Sequence, residues 1–418
     1  MSKSTKLIIL DGRTGEGGGQ LVRLACALAA VTSQPIRITN VRGNRAGPRG
    51  GGLKSQHVSS IAWLAKATDA EVGGLAVGSH TLDFAPALPP TALRGNRICI
   101  DAESPAASTM LMFQAVLPYL LFAGNVGGEG EEKSIELEIK GGTNVSFSLS
   151  YEYLDQVLLP ILETRFGIVI ERKLKERGWS SGPTRKGTVW FRIQPLTIGE
   201  RLASRGPWDG KHADQDFVVE RIDATLLAPS NMHSYLQEAL VKDLDERFPD
   251  VDVRFVITEE SAHESRMYVL LVAVSKTGLR WGRDFLYNKN RKKKTPGMLS
   301  SEMSRKVSRD LRHEISLRGA VDEYLQDQLV VFQVLSQGMS SFGRNEQDAD
   351  GDGRGVAPEM DGLAIIEEQR MRKDKTHEPF GQGSTHTTTA RWVASQLLPQ
   401  VKWFNKGELC EGAGISFS

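Results

Sequence analysis

A chain of 418 residues, 40% hydrophobic and 25% charged, has the make-up of a globular protein and is too long for one ordinary core, so two or three domains are expected. A formal net charge of +1 excludes a generally basic nucleic-acid coat and leaves local patches as the route to RNA or DNA. No basic-then-apolar leader and no apolar run of membrane-spanning length is present, so no membrane partner is expected.

Residues 6–10 read as a strand that runs into the glycine-rich loop Asp11-Gly-Arg-Thr-Gly-Glu-Gly-Gly-Gly-Gln20. Residues 21–31 are apolar almost all round, as in a buried helix, with Arg23 the only charge. A strand over 35–42, a helix from 53 to 67 after Gly50-Gly-Gly52, and a hairpin over 70–84 follow, giving the order β-α-β-α-β-β. The order recurs: strand 97–101, proline-bearing apolar helix 106–122, strand 134–140, helix 151–166 and strands 168–173 and 188–194. A repeat of this length suits two equivalent lobes better than a solenoid.

Beyond Pro195 the pattern changes. Residues 217–227, 233–248, 252–257 and 267–274 form an α+β segment that ends in a basic turn over 281–294. Helical spacing returns at 299–316 and 321–335, before a Gly/Asp-rich stretch over 345–358 and a charged helix-like piece over 363–373. A helix over 388–398 and two short strands close the chain. The reading is an α/β (α+β) protein with a large domain of repeated βαβαββ units over 1–198, an inserted α+β domain over 199–290 and a third unit over 291–418. A flexible acidic insertion is placed at about 345–378. Cys26, Cys99 and Cys410 lack CxxC spacing, which points to reduced, packed thiols in an intracellular protein rather than to a disulfide framework or zinc site.

Two segments carry chemistry. In Gly381-Gln-Gly-Ser-Thr-His386 a histidine sits among small, hydroxyl-bearing residues, where imidazole can attack phosphorus near neutral pH. The glycine loop is neither a P-loop, since no Gly-Lys-Ser/Thr follows, nor a dinucleotide fingerprint, since Gln20 stands where the third glycine belongs. Its glycines still suit close approach of backbone to phosphate; Glu16 suits a metal or supporting ligand, and Arg23 on an apolar helix needs an anionic partner. Arg42-Gly-Asn-Arg45 and Lys54-Ser-Gln-His57 put further cations where strand and helix exchange, with a solvated basic loop as the plain alternative. The run Asn288-Lys-Asn-Arg-Lys-Lys-Lys294 adds phosphate attraction without sequence specificity. Asp348-Ala-Asp-Gly-Asp-Gly353 with Glu359 imitates a calcium loop, but no entering helix precedes it and Pro358 precedes the last ligand, so an acidic insertion is the better reading. In 321–330, Asp322, Asp327 and Gln328 cannot all face solvent if both ends of the segment pack.

Gly15-Glu-Gly-Gly-Gly-Gln-Leu-Val-Arg23, Arg42-x-x-Arg45, Gln56-His57, Gly141-Gly-Thr143, the 322–330 run and Ser384-Thr-His386 together resemble the RNA 3'-terminal phosphate cyclase family, in that family's order across nearly the whole chain. The 321–329 run and the closing Glu-Gly-Ala-Gly-Ile-Ser look most like its eukaryotic branch. The resemblance implies a large domain of three βαβαββ-type units with a smaller α+β insert. It implies an ATP-dependent enzyme that converts an RNA 3'-phosphate to a 2',3'-cyclic phosphodiester, with Mg2+ or Mn2+, and releases AMP and diphosphate. His386 matches the histidine that takes up AMP, and Asp327 is expected to orient it. Glu16 (also as metal ligand), Arg23, Arg42, Arg45, Gln56, His57, Gln114, Tyr324 and Gln328 match positions at or near the nucleotide. RNA with a 3'-phosphate end and ATP are the implied partners, in the nucleoplasm for a eukaryotic chain and otherwise in the cytoplasm. The chain departs from the family at Asp101-Ala-Glu-Ser-Pro-Ala-Ala-Ser108, at Trp179-Ser-Ser-Gly-Pro-Thr-Arg-Lys-Gly187 and in the extra acidic stretch. A related branch of non-catalytic pre-rRNA processing factors is the alternative; it lacks the nucleophilic histidine and much of the glycine loop, whereas His386 and Glu16 are present here.

Overall fold

The computed structural model describes residues 6–45, 47, 50–124, 134–206, 214–287, 294–344 and 371–418. The acidic stretch 345–358, the charged piece up to 370 and most of the basic run at 288–294 lie outside the described residues.

Strands β1 (Ile8–Asp11), β2 (Ile36–Thr39), β3 (Glu71–Gly73) and β4 (Leu82–Ala85) form a sheet in the order β1-β2-β4-β3, covered by helices α1 (Gly19–Thr32) and α2 (Ser55–Thr68). A second sheet, β5-β6-β8-β7, comprises β5 (Arg97–Asp101), β6 (Ile135–Gly141), β7 (Ile170–Glu176) and β8 (Gly187–Ile193). Both sheets pair their first two strands parallel and the rest antiparallel. In each, alternate residues turn inward: Ile98 and Ile100 of β5 are buried while Cys99 between them is exposed. The expectation of packed thiols therefore holds for Cys26 and Cys410 but not for Cys99, which the strand period turns outward. Helix α3 (Thr109–Leu121) keeps Pro118 inside it, and α4 (Tyr151–Tyr153) continues through a π-helical stretch, Leu154–Leu158, into α5 (Leu159–Phe166).

A third sheet, β10-β9-β11-β12, contains β9 (Val219–Ala228), β10 (Asp252–Glu260), β11 (Tyr268–Ser275) and β12 (Arg280–Leu286). Helix α6 (His233–Arg247) and the long helix α7 (Pro296–Ser316) cover one face, so α7 packs with this sheet although it follows it in sequence. Every residue of β11 is buried. Val269, Leu271 and Ala273 join the core under α6 and α7, whereas Tyr268, Leu270, Val272 and Val274 join the main core. That is why β11 reads as an unbroken apolar run: both of its faces are covered. The last sheet, β13-β15-β14, is built from β13 (Met339–Ser341), β14 (Lys402–Phe404) and β15 (Leu409–Glu411), with α8 (Glu323–Leu335) and α9 (Thr385–Leu397) packed on each other. Helix α1 packs against α3 and α9, which brings the two ends of the chain together. No helix among the described residues is long and apolar enough to cross a membrane.

Candidate active site

The glycine loop turns from β1 into α1 through left-handed backbone at Gly15 and Gly17, φ 61° and 60°. It docks on α9 because the Glu16 N–H donates to Thr389 Oγ1 at 2.9 Å. A Cβ at Gly15 would sit 2.1 Å from that same oxygen, so the docking requires glycine. At the helix N-terminus, a Cβ on Gly19 would lie 2.6 Å from His57 Nε2. The glycine there lets α1 meet the His57 ring.

On the other side, Ser384 caps α9, accepting the Thr387 N–H at 3.3 Å, and places His386 in the first turn. The loop before it is pinned by the Gln382 N–H to the Lys406 carbonyl, 2.7 Å, and by Arg391 to the Gln382 carbonyl. Helix α8 is capped by Asp322, whose buried carboxylate accepts from the Tyr324 and Leu325 N–H groups, both at 3.0 Å. It also takes the Tyr153 hydroxyl at 2.6 Å and the Gly282 N–H at 2.7 Å. Asp322 is thus a structural cap, and of the two aspartates it is Asp327, one turn further on, that reaches the cleft.

Two lobes meet at His386. The larger, about 990 Å³, is lined by Glu16, Gln20, Arg23, Arg42, Arg45, Lys54, Gln56 and His57, with Ser104, Ala106 and Ala107 from the altered loop at 101–108. The smaller, about 410 Å³, is lined by Arg23, Gln114, Asp327 and Gln328, with Phe147 and Tyr324 as exposed rings and Asp284 from β12. Each of Glu16, Arg23, Arg42, Arg45, Gln56, His57, Gln114, Tyr324, Asp327, Gln328 and His386 lines one lobe or the other, and Arg23 and His386 line both. The other altered loop, 179–187, lies elsewhere: Arg266 stacks over Trp179 and donates to the Pro183 carbonyl. Arg283 of β12 lies 4.4 Å behind the Tyr324 ring and bonds buried Glu314, so the third sheet supports one wall of the smaller lobe.

The sequence reading expects Asp327 to orient His386, and the structure shows what lies between the two. Gln20 stands between them: its Nε2 donates to Asp327 Oδ2, and its Oε1 lies 3.1 Å from His386 Nδ1. Gln328 Nε2 donates to the same Asp327 oxygen at 2.7 Å, so that oxygen is filled by two amides. Gln20 is the residue the sequence reading missed. In the sequence it stood only as the residue in place of a third glycine and as part of the family motif, with no role assigned. Phe147 and Asp284 gave no signal at all.

The electrostatics are those of an anion site. Arg23 makes no hydrogen bond or ion pair among the described residues, and burial lowers its pKa to about 10 against the opposing pull of Asp327. Burial lowers Arg42 likewise, and burial with Arg42 nearby lowers Lys54. His57, 1% exposed, accepts the Lys54 N–H on Nδ1 at 3.1 Å, which leaves the proton on Nε2. Burial, then Arg23, Arg42 and Lys54, hold its pKa well below the ordinary value, so the ring is neutral, and Nε2 has no partner among the described residues. Burial, then Arg23 and Arg45, lower His386 as well, against Glu323, so it too is neutral near pH 7. Its Nε2 lies 4.0 Å from Glu16 Oε1, while Glu16 pairs with Arg45.

Asp327, 8% exposed, is pushed up to about 7 by burial, although Gln328 and Arg23 oppose the shift. The sign of the linkage follows. Below pH 4 the acid is protonated folded and unfolded; between 4 and 7 only the folded chain holds the proton, so stability falls as pH rises; above 7 the penalty is constant. Asp327→Asn, whose oxygen still accepts both amides, is expected to melt like wild type at pH 4 and progressively higher towards pH 8. The gain is on the order of 4 kcal/mol at most, at about 1.4 kcal/mol for each tenfold change in proton affinity. Calorimetric melts of both proteins across that range check this, and a pH-independent difference would refute it.

No group of three or more His, Cys, Asp or Glu side chains among the described residues forms a metal cage. A single buried carboxylate, Glu16, suits the weaker demand of Mg2+ or Mn2+ that arrives with a phosphate ligand and keeps most of its own water.

Comparison with known proteins agrees with the family resemblance. The family described as RNA 3'-terminal phosphate cyclase matches residues 14–401. A protein of Pyrococcus furiosus named RNA 3'-terminal phosphate cyclase is 31% identical over 333 residues, 79% of this chain and 87% of its own. Proteins of the same name from Methanosarcina mazei, 31% identical over 348 residues, and Thermococcus sibiricus, 30% over 336, cover 80% and 79% of the chain and 89% and 86% of their own lengths.

Proposed function

Because the chain belongs to the RNA 3'-terminal phosphate cyclase family, we propose that it closes RNA 3'-phosphate ends to 2',3'-cyclic phosphodiesters at the expense of ATP, through AMP held on His386. One observation carries the reading: a neutral imidazole presents Nε2 at the junction of two lobes, between a cluster of cations and a pair of aromatic rings.

The smaller lobe suits a nucleoside. Phe147 and Tyr324 offer faces for a base, and Gln114 and Gln328 offer amides for a sugar or base edge. The larger lobe suits phosphates. Arg23, Arg42, Lys54 and the free N–H of His57 surround the uncapped N-terminus of α1, which has no acid in its first turn. With the α-phosphate at the junction, His386 Nε2 attacks phosphorus and the bond to the β-phosphate oxygen breaks. Diphosphate leaves among the cations while the proton stays on His386 Nδ1, donated to Gln20 Oε1. A 3'-phosphate oxygen of RNA then attacks the same phosphorus, and the N–P bond breaks to free His386. The neighbouring 2'-hydroxyl attacks the 3'-phosphate and AMP departs. The fixed cations favour each crowded, highly charged arrangement over the state before it. A divalent ion held by Glu16 would neutralise phosphate charge when bound.

Incubation with α-labelled ATP and a divalent ion is expected to leave label on the protein, stable to alkali and lost in acid, and to move it to RNA bearing a 3'-phosphate. Absence of both adduct and cyclised RNA would reject the catalytic reading in favour of the non-catalytic branch.

A further inference from the structure

An imidazole has two nitrogens, and only the one without a proton attacks. Nothing in the charge around His386 selects the right one. Arg23 and Arg45 lower its affinity for a second proton and Glu323 raises it, but these are effects on the whole ring. Glu16, 4.0 Å from Nε2, would by itself draw the proton onto that nitrogen and silence it, and Arg45 only partly offsets this by pairing with Glu16.

We propose that Gln20 is the positioning residue that keeps the proton of His386 on Nδ1 and so leaves the lone pair on Nε2, with Asp327 fixing Gln20 in turn. A primary amide has a donor end and an acceptor end, and it cannot offer a lone pair to both neighbours. Ionised Asp327 has only acceptors, so it takes the Nε2 end of Gln20. The Oε1 end then has one direction left, towards His386 Nδ1 at 3.1 Å, and an acceptor there demands N–H. Gln328 closes the arrangement from behind by donating to the same Asp327 oxygen. Gln20 is 7% exposed and Asp327 8%, so water does not readily replace either end of the relay. An acid therefore sets a histidine tautomer without touching it, and a neutral amide transmits the choice. This role rests on the reading of His386 as the nucleophile.

Nitrogen NMR of the full chain labelled with 15N-histidine tests it without reference to turnover. The signals of His386, one of eight histidines, are identified by their loss in His386→Ala. At pH 8 the wild type is expected to show protonated Nδ1 and bare Nε2. Gln20→Met, similar in size but without hydrogen bonds, should shift the ring towards the Nε2–H form and slow adduct formation at saturating ATP about 10–100-fold, the usual scale for a residue that orients a working histidine. ATP affinity should change little. Gln20→Glu keeps an acceptor, so it should keep the Nδ1–H form while a new carboxylate moves the acid limb of the adenylation–pH profile upward. An Nε2–H tautomer in the wild type, or an unchanged tautomer in Gln20→Met, overturns the proposal. If the tautomer shifts as expected but no nucleotide ever labels the wild type, the adenylation reading fails while the role of Gln20 stands.

Discussion

Replacing His386 with Ala is expected to remove the protein–AMP adduct and cyclised RNA together, below detection, while the melting temperature stays at the wild-type value. The side chain is 47% exposed in the first turn of α9, and its one hydrogen bond among the described residues is to Gln20, so the fold loses almost nothing, within about 0.5 kcal/mol. On the proposed chemistry this variant has no nucleophile. His57→Ala is the informative control, because that ring is 1% exposed and neutral and can only donate to a ligand. The control should label more slowly but still label. Measured with α-labelled ATP and denaturing gels, label on the His386 variant at the wild-type level would mean that another residue attacks.

The second large effect is expected at Arg23. It lines both lobes, it is half-buried, and it has no ion pair among the described residues to lose, so in the unliganded protein its charge is a cost of folding. Arg23→Ala should lower the single-turnover rate of adduct formation about 10²–10³-fold, the scale of one lost donor to a developing charge. The same change should not destabilise the chain at pH 6, where Asp327 is mostly protonated and needs no neighbouring cation. Arg23→Lys should restore only part of the rate, since a point charge does not replace a two-pronged guanidinium. A variant with unchanged rate, or one that unfolds in proportion to its lost activity, would assign Arg23 to the scaffold instead.

What was legible in the sequence divides by how locally each residue's role is determined. Glu16 and Arg23 stand out because a carboxylate among glycines and a lone cation in an apolar helix are anomalies that local packing does not explain. His386 stands out because its neighbours are too small to cover it. Strand alternation and helix spacing gave the order of the first two sheets, since each strand shows one face to the core. Asp322 and Asp327 looked alike within one run, and only the structure separates a helix cap from an acid in the cleft: the difference lies in Tyr153 and Gly282 on one side and Gln20 on the other. Gln20 was read as an exception to a glycine pattern because its partners lie 307 and 366 positions away. The exposure of Cys99 was missed for a simpler reason, that an edge strand with apolar neighbours hides which alternate face a small residue takes.

The doubly covered strand β11 bears on how this protein can be reshaped. Its even-numbered side chains complete the roof of the body that carries the glycine loop and His386, while its odd-numbered ones belong to the other core. An engineer seeking a minimal catalyst by cutting out the third sheet would bare Tyr268's neighbours on the main body and also withdraw Arg283 from behind Tyr324. The sheet is therefore not a detachable module: to be shortened, it has to be trimmed from its open β10 edge inward, with β11 and β12 left in place.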